Sequence, residues 1–289
     1  MLLRPHIQNL TLNVSEPSED MLGHCGDMLA GLLVWASFSA LFSLLGCPAC
    51  VAVLWELFQR HKVGTSISPN DIFMLNLTIM DLLFLCFVPF GLCNFLLWNI
   101  ETFEMLTNFL YALNLAGRPL LTACICLDCY LAVVHPVTYH SNRSLTPRLL
   151  MAAAVWTATL MQGAFSAVVD ELNHSAWAML VYVIALPVII ICDASILWTL
   201  KKSYRGGGDL HPKKKKALQI IANSMVMTVI SYVPPVLVYV FGHLIISDDK
   251  TYECYLAIPT LITPTAGSAI MPLLFLGNLG RLKSLCCLE

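Results

Sequence analysis

Long apolar stretches separated by short polar connections dominate this chain. Seven of them reach the roughly 20 residues that a helix needs to cross the hydrocarbon core of a bilayer. They are residues 28–58, 70–97, 104–134, 148–170, 176–201, 213–246 and 255–277. Because lipid offers no hydrogen-bond partner to the backbone, each stretch is predicted to be a helix. The pattern therefore predicts an all-α membrane protein, a bundle of seven transmembrane helices here called spans one to seven.

Composition agrees with lipid as the main solvent. Of 289 residues, 58 % are hydrophobic and 12 % are charged, whereas soluble domains carry about 25 % charged residues. The pattern divides the chain into an extracellular tail, residues 1–27, a seven-transmembrane domain, residues 28–277, and a cytoplasmic segment, residues 278–289, with a short interfacial helix eight. No cofactor and no nucleic-acid partner is expected.

The distribution of lysine and arginine predicts the orientation. Thirteen of the 16 lie in alternate connections or in the C-terminal segment, while Arg4 and Lys250 lie on the opposite side and Arg118 lies within span three. Basic residues accumulate on the cytoplasmic side of membrane proteins. We therefore expect a multi-pass plasma membrane protein with its N-terminus outside. The run Lys213 to Lys216 would meet anionic lipid headgroups, each lysine contributing about 1 kcal/mol.

Modification and cross-linking sites follow from that orientation. Of 12 cysteines, Cys25 and Cys254 lie in outward-facing polar segments, where an oxidising exterior favours a disulfide bond between them over two unpaired thiols. Cys286 and Cys287, beside helix eight, are candidates for palmitoylation. The glycosylation sequons that face outwards are those of Asn9, Asn13 and Asn173. No cysteine spacing resembles that of a zinc site, and no metal is expected.

Each of spans two to seven carries one or more landmark residues. Span two contains Asn76-Leu-Thr-Ile-Met-Asp81, and span three ends in Asp128-Cys129-Tyr130. The remaining landmarks are Trp156, Pro187, Pro234 with Pro235, and Pro272. With these landmarks in order, residues 28–289 resemble the rhodopsin-like, or class A, G protein-coupled receptors, and Asp128-Cys129-Tyr130 is similar to that family's Asp-Arg-Tyr motif. Ser231, Tyr232 and Trp98 resemble the nucleotide and chemokine receptor branch.

The same motifs also depart from the family pattern. Cys129 stands where the resemblance implies an arginine that holds the resting state and then contacts the G protein. Phe275 replaces the tyrosine of the Asn-Pro-x-x-Tyr motif around Pro272, and Ser195 replaces a tyrosine of span five. These departures lie along one activation route.

Two charges are predicted to lie in the core. The resemblance implies that Asp81 binds a sodium ion, but Arg118 stands where the family has a serine, and Cys47 and Met271 replace two asparagines. A single charge at a helix centre costs about 2.5–3.5 kcal/mol on insertion scales, and buried charges are paired. We therefore predict an Asp81–Arg118 ion pair and a core that is insensitive to sodium. The alternative is that Arg118 is satisfied by other nearby groups.

The resemblance also implies a ligand pocket that opens outwards between spans three, five, six and seven. Its expected lining is Asn108, Tyr111, Tyr182, Tyr232, Tyr239 and His243. Tyr111 stands where amine receptors carry an aspartate, which argues against a small biogenic amine. The outer segments carry 11 acidic and two basic residues, a field that would attract cationic ligands. Peptide, cationic and lipid-like ligands remain open, and the tyrosines could equally be packing residues.

Three functions remain after this comparison. The chain is predicted to be a cell-surface receptor that binds an extracellular ligand and signals to a heterotrimeric G protein. The alternative is an atypical or decoy receptor that binds without coupling, which the altered motifs favour. A small transporter or channel is the third possibility, because intramembrane charges can mark ion paths. No catalytic motif is present, so an enzyme is not expected.

Overall fold

A computed structural model describes residues 29–62, 69–98, 100–141, 144–168, 171–204, 212–246 and 248–278. Within these residues the backbone is helical and forms no strand. Spans one, three, four and five are single helices: Leu29–Lys62, Glu101–Val134, Thr146–Val168 and Glu171–Tyr204. Span two is Pro69–Cys93 continued by Asn94–Trp98, and span six is Pro212–Met227 continued by Thr228–Tyr232 and Val233–Ile245. Span seven extends from Asp249–Tyr252 to Ile262–Asn278. The prediction of an all-α, seven-span bundle is thus confirmed.

Six of these helical segments within the described residues are long and apolar enough to cross a membrane. Span four, Thr146–Val168, is not among the six. Its 23 residues nevertheless make a helix about 34 Å long, which exceeds the roughly 30 Å of the hydrocarbon core.

Wider π-helical turns interrupt spans two, six and seven at Asn94–Trp98, Thr228–Tyr232 and Glu253–Ala257. The turn in span six directly precedes Pro234 and Pro235, which have no N–H to donate to the preceding turn. The backbone N–H of Val233 reaches back to the carbonyl of Thr228 instead. This wider turn leaves Ser231 and Tyr232 buried inside the bundle.

Span three is the central helix of the bundle. It packs against spans two, four and five along its length, while span one packs against spans two and seven. Its middle third is almost continuously buried. Large apolar side chains on the outside of the bundle, such as Leu44, Ile191 and Trp198, are exposed. This inverse distribution is that of a bundle whose surface meets lipid and whose interior holds the polar groups.

Candidate functional site

The predicted core charges meet in the structure. Arg118 Nε donates a hydrogen bond of 2.7 Å to Asp81 Oδ1. Asp81 is 0 % exposed and Arg118 is 2 % exposed, so solvent does not screen the pair. A second nitrogen of Arg118, Nη2, donates to the backbone carbonyl of Gly267 over 2.8 Å. One guanidinium therefore connects spans two, three and seven.

Two polar side chains that the sequence analysis did not name complete this cluster. Asn114 Nδ2 lies 3.3 Å from Asp81 Oδ1 and 3.2 Å from the hydroxyl of Ser268. The sequence carried a signal for Asn114, since it precedes Arg118 by four residues and so lies on the same face of the helix. Ser268 is the neighbour of Gly267 in span seven. Asn114 and Ser268 thus give Asp81 polar neighbours at positions other than those of the two asparagines that the family resemblance implies. Met271, which stands at one of those two positions, packs in the apolar core.

Gly267 is where the arginine approaches the backbone of span seven. A Cβ added at this position would collide with Arg118 Nη1 and with Ser231 Oγ. The absence of a side chain at 267 is therefore what admits the guanidinium between spans three, six and seven.

A second buried ion pair lies at the C-terminal end of span three. Arg148, at the start of span four, donates from Nε to Asp128 Oδ1 over 2.7 Å and from Nη1 to the carbonyl of Ser144 over 2.9 Å. The Tyr139 hydroxyl donates to Asp128 Oδ2 over 3.1 Å. Tyr139 belongs to a short helix, Pro136–Ser141, that follows span three. Sequence reasoning treated Arg148 as a topology signal and missed this partnership, because 20 residues separate the two groups.

The environment of Tyr139 alters its acidity. Its partial burial, and next the negative charge of Asp128, raise the pKa of Tyr139 to about 12. The guanidinium of Arg148 lies 4.9 Å from the centre of the tyrosine ring, an arrangement that gives a cation–π attraction. Tyr139 thus stays protonated at neutral pH and is a hydrogen-bond donor to Asp128.

The other motif positions lie in apolar or aromatic surroundings. Cys129 is 9 % exposed and packs with Ile196 of span five and Ile221 of span six. The ring of Tyr130 packs edge-on against His135, with centroids 5.6 Å apart. Pro272 is buried within span seven, and Phe275 packs against the main apolar cluster.

A third buried acid, Asp193, lies between spans three, five and six. It is 4 % exposed and is within hydrogen-bonding reach of Ser224 and Cys126. The sulfur of Cys126 is 3.1 Å from the Ser224 hydroxyl. These three side chains form a polar link between spans three, five and six in the half of the bundle that contains Asp128 and Cys129.

The expected pocket residues fall into two groups. Tyr182 and Tyr232 are buried and pack edge-on with ring centroids 5.9 Å apart, and the Tyr232 hydroxyl lies 2.9 Å from that of Thr122. The ring of Tyr111 packs against Phe84. Asn108 is exposed and Tyr239 is half-buried, while the side chain of His243 lies outside the described residues. The structure thus gives three of the tyrosines interhelical contacts, and their role in ligand binding remains a prediction.

Several predicted modification sites lie outside the described residues. They are Asn9, Asn13, Cys25, Cys286 and Cys287, together with the side chain of Asn173. Cys254 is buried and disulfide-bonded. The pairing with Cys25 and the interfacial helix eight remain predictions.

Comparison with known proteins shows which receptors the chain is similar to. The sequence profile described as 7 transmembrane receptor (rhodopsin family) matches residues 50–176, a range that includes the Asp81–Arg118 pair and the Asp128–Arg148 pair. Over this range the chain is similar to the rhodopsin-like receptors. That family consists of receptors rather than enzymes, and its members are multi-pass proteins of the plasma membrane.

The similar receptors differ in what their names say they recognise. The chain is 29 % identical to bovine proteinase-activated receptor 3 over 69 % of its own length and 57 % of the relative's. It is 26 % identical to a turkey purinoceptor over 78 % and 74 % of the two lengths, and 25 % identical to human lysophosphatidic acid receptor 4 over 88 % and 72 %. Against the bovine receptor the chain spans little more than half the relative's length.

Proposed function

We propose that this protein is a cell-surface receptor that binds an extracellular ligand and signals to a heterotrimeric G protein. The observation that carries the proposal is the network around Asp81. It joins spans two, three and seven through Arg118, Asn114 and Ser268 in the interior. A bundle whose helices meet at one polar centre can transmit a shift of one helix to the others, because such packed interiors change between discrete arrangements.

The charge of the outer segments favours a cationic peptide as the ligand. Glu101, Glu104 and Asp248 are exposed acids at the outer ends of the spans, and the outer segments carry 11 acids in all. This field disfavours the approach of anions and raises the arrival rate of cations. A phosphorylated lipid or a nucleotide, which the names of two relatives would suggest, fits this surface less well than a basic peptide.

The second candidate is a receptor that binds its ligand without coupling. Cys129 is the observation that favours it, because a thiol packed among Ile196 and Ile221 presents no cation to an intracellular partner. The two candidates share the same outer surface and differ at the inner face.

A nucleotide-exchange assay distinguishes the two candidates. Nucleotide exchange by each class of G protein would be measured on membranes that contain the full chain and on membranes that lack it. The native chain and Cys129→Arg would be compared at matched surface abundance. The proposal expects the native chain to raise exchange with at least one class. If no class responds to the native chain while Cys129→Arg activates one, the non-coupling alternative replaces it.

A further inference from the structure

We propose that Arg148 is the positioning residue of the inner face. It supplies Asp128 with the cation that position 129 lacks and, together with Tyr139, fixes the segment Pro136–Ser141 against spans three and four. The effect on signalling rests on the proposed function, whereas the effect on the segment does not.

Asp128, Tyr139 and Arg148 contact one another. Asp128 accepts from Arg148 on one carboxylate oxygen, at 2.7 Å, and from Tyr139 on the other, at 3.1 Å. Arg148 in turn reaches the carbonyl of Ser144 and stacks near the Tyr139 ring. Asp128 is 8 % exposed and Arg148 is 6 % exposed. A carboxylate this deeply buried is stable only with a paired cation, and Arg148 fills that role.

Helix geometry separates the roles of positions 128 and 129. Successive residues of an α-helix point about 100° apart, since one turn takes 3.6 residues. Asp128 accordingly meets span four and the Pro136–Ser141 helix, whereas Cys129 meets Ile196 and Ile221 of spans five and six. Position 129 can therefore be apolar without leaving Asp128 uncompensated, because the compensating charge comes from another helix.

The consequence concerns the segment between spans three and four. Pro136–Ser141 is six residues long, far too short to be stable as an isolated helix. Among the described side chains, the hydrogen bond from Tyr139 to Asp128 and the stacking of Arg148 on the Tyr139 ring connect this segment to spans three and four. Loss of Arg148 would release the segment and leave a buried, unpaired carboxylate at its base.

A set of charge-matched variants tests this role. Arg148→Ala is expected to lower the surface abundance of the full chain several-fold, since a destabilised protein is removed by the cell. Asp128→Asn combined with Arg148→Ala is expected to recover most of that loss, because no unpaired charge remains. Arg60→Ala is the matched control: Arg60 pairs with Glu56 one helical turn away, where both side chains keep access to solvent, and its loss should leave abundance unchanged.

Hydrogen–deuterium exchange of the peptide covering residues 136–141 measures positioning directly. Tyr139→Phe, which should fold, and the recovered double variant are both expected to exchange faster than the native chain in this peptide and at the native rate in span two. The proposal is overturned if the double variant is as scarce as Arg148→Ala, or if the peptide exchanges at the native rate in both variants. Nucleotide exchange by G proteins, measured on the same variants, reports on coupling separately. Surface abundance and deuterium exchange therefore test the role of Arg148 even if the receptor does not couple to any G protein.

Discussion

The Asp81 carboxylate sits where burial is most costly, at 0 % exposure in the middle of the bundle. Its stability depends on a donor set rather than on one contact: Arg118 Nε at 2.7 Å and Asn114 Nδ2 at 3.3 Å both reach the same oxygen. Replacing a buried pair by apolar groups is often tolerated, but removing one partner leaves an uncompensated charge.

Removing Arg118 alone is therefore expected to cost more than removing both charges. Arg118→Met should destabilise the fold by about 3–5 kcal/mol, while Asp81→Asn with Arg118→Met should recover a large part of that loss. Thermal unfolding in detergent, with Glu56→Gln at a partly exposed position as a control, measures the difference. A double variant no more stable than Arg118→Met would refute the view that charge pairing dominates. A full charge swap is a poorer test, because an arginine at 81 need not reach the Gly267 carbonyl.

The same pair predicts the response to sodium. The guanidinium beside Asp81 is part of the Arg118 side chain and cannot dissociate. It already neutralises the carboxylate, so a sodium ion gains little by binding there. Replacing potassium by sodium at constant ionic strength should leave the melting temperature of the native chain unchanged. A sodium-dependent rise in melting temperature would contradict the idea.

Tyr139 gives a pH dependence that can be observed by spectroscopy. Its pKa is raised to about 12 from the usual value of about 10. A raised pKa means that the folded state holds the proton more tightly, so the stabilisation is complete below about pH 10 and is lost as pH rises through about 12. The difference in absorbance at the tyrosinate band between the native chain and Tyr139→Phe should titrate near pH 12. Titration near the usual value of about 10 would show that Tyr139 is neither buried nor in contact with Asp128.

At the scale of helices, close approach depends on one small residue. Gly267→Ala places a Cβ against Arg118 Nη1 and Ser231 Oγ, and the guanidinium cannot retreat without losing Asp81 or the carbonyl. The substitution is expected to lower the melting temperature by several degrees, as overpacking typically costs about 1–3 kcal/mol. Gly91→Ala is the comparison, since its Cβ would meet only the Thr107 side chain, 2.9 Å from the methyl carbon and 3.2 Å from the hydroxyl oxygen, and no member of an ion pair. Equal losses for both would argue against a special role for position 267.

The bounds of the helices could be predicted from the sequence, whereas the local widening of the backbone in span six could not. Spans one, three and five begin and end within five residues of the predicted bounds, because hydrophobic length sets where a helix can cross a membrane. The π-helical turn Thr228–Tyr232 was not predicted. Its cause, the missing N–H groups of Pro234 and Pro235, was present in the sequence, but the way the backbone would rearrange depends on the neighbouring helices.

The arrangement of the whole molecule is tested by its termini and by one bridge. Epitope tags should place the N-terminus outside and the C-terminus inside in unpermeabilised cells, as the distribution of lysine and arginine requires. Cys25→Ser and Cys254→Ser should each lower surface abundance, and the double variant should be no worse than either alone, because each would remove the same predicted disulfide. Additive losses, or termini on one side of the membrane, would refute this arrangement.

The all-α membrane class, the seven spans and the need to neutralise two charges in the core could all be predicted from the sequence. Hydrophobic length and the cost of burying charge act locally, so they can be read along one chain. Most of the partners could not be predicted in this way: Asn114 and Ser268 lie beside Asp81, and Arg148 rather than residue 129 lies beside Asp128. Those partners come from different helices, and their distances depend on how the helices pack, a property that no single span contains.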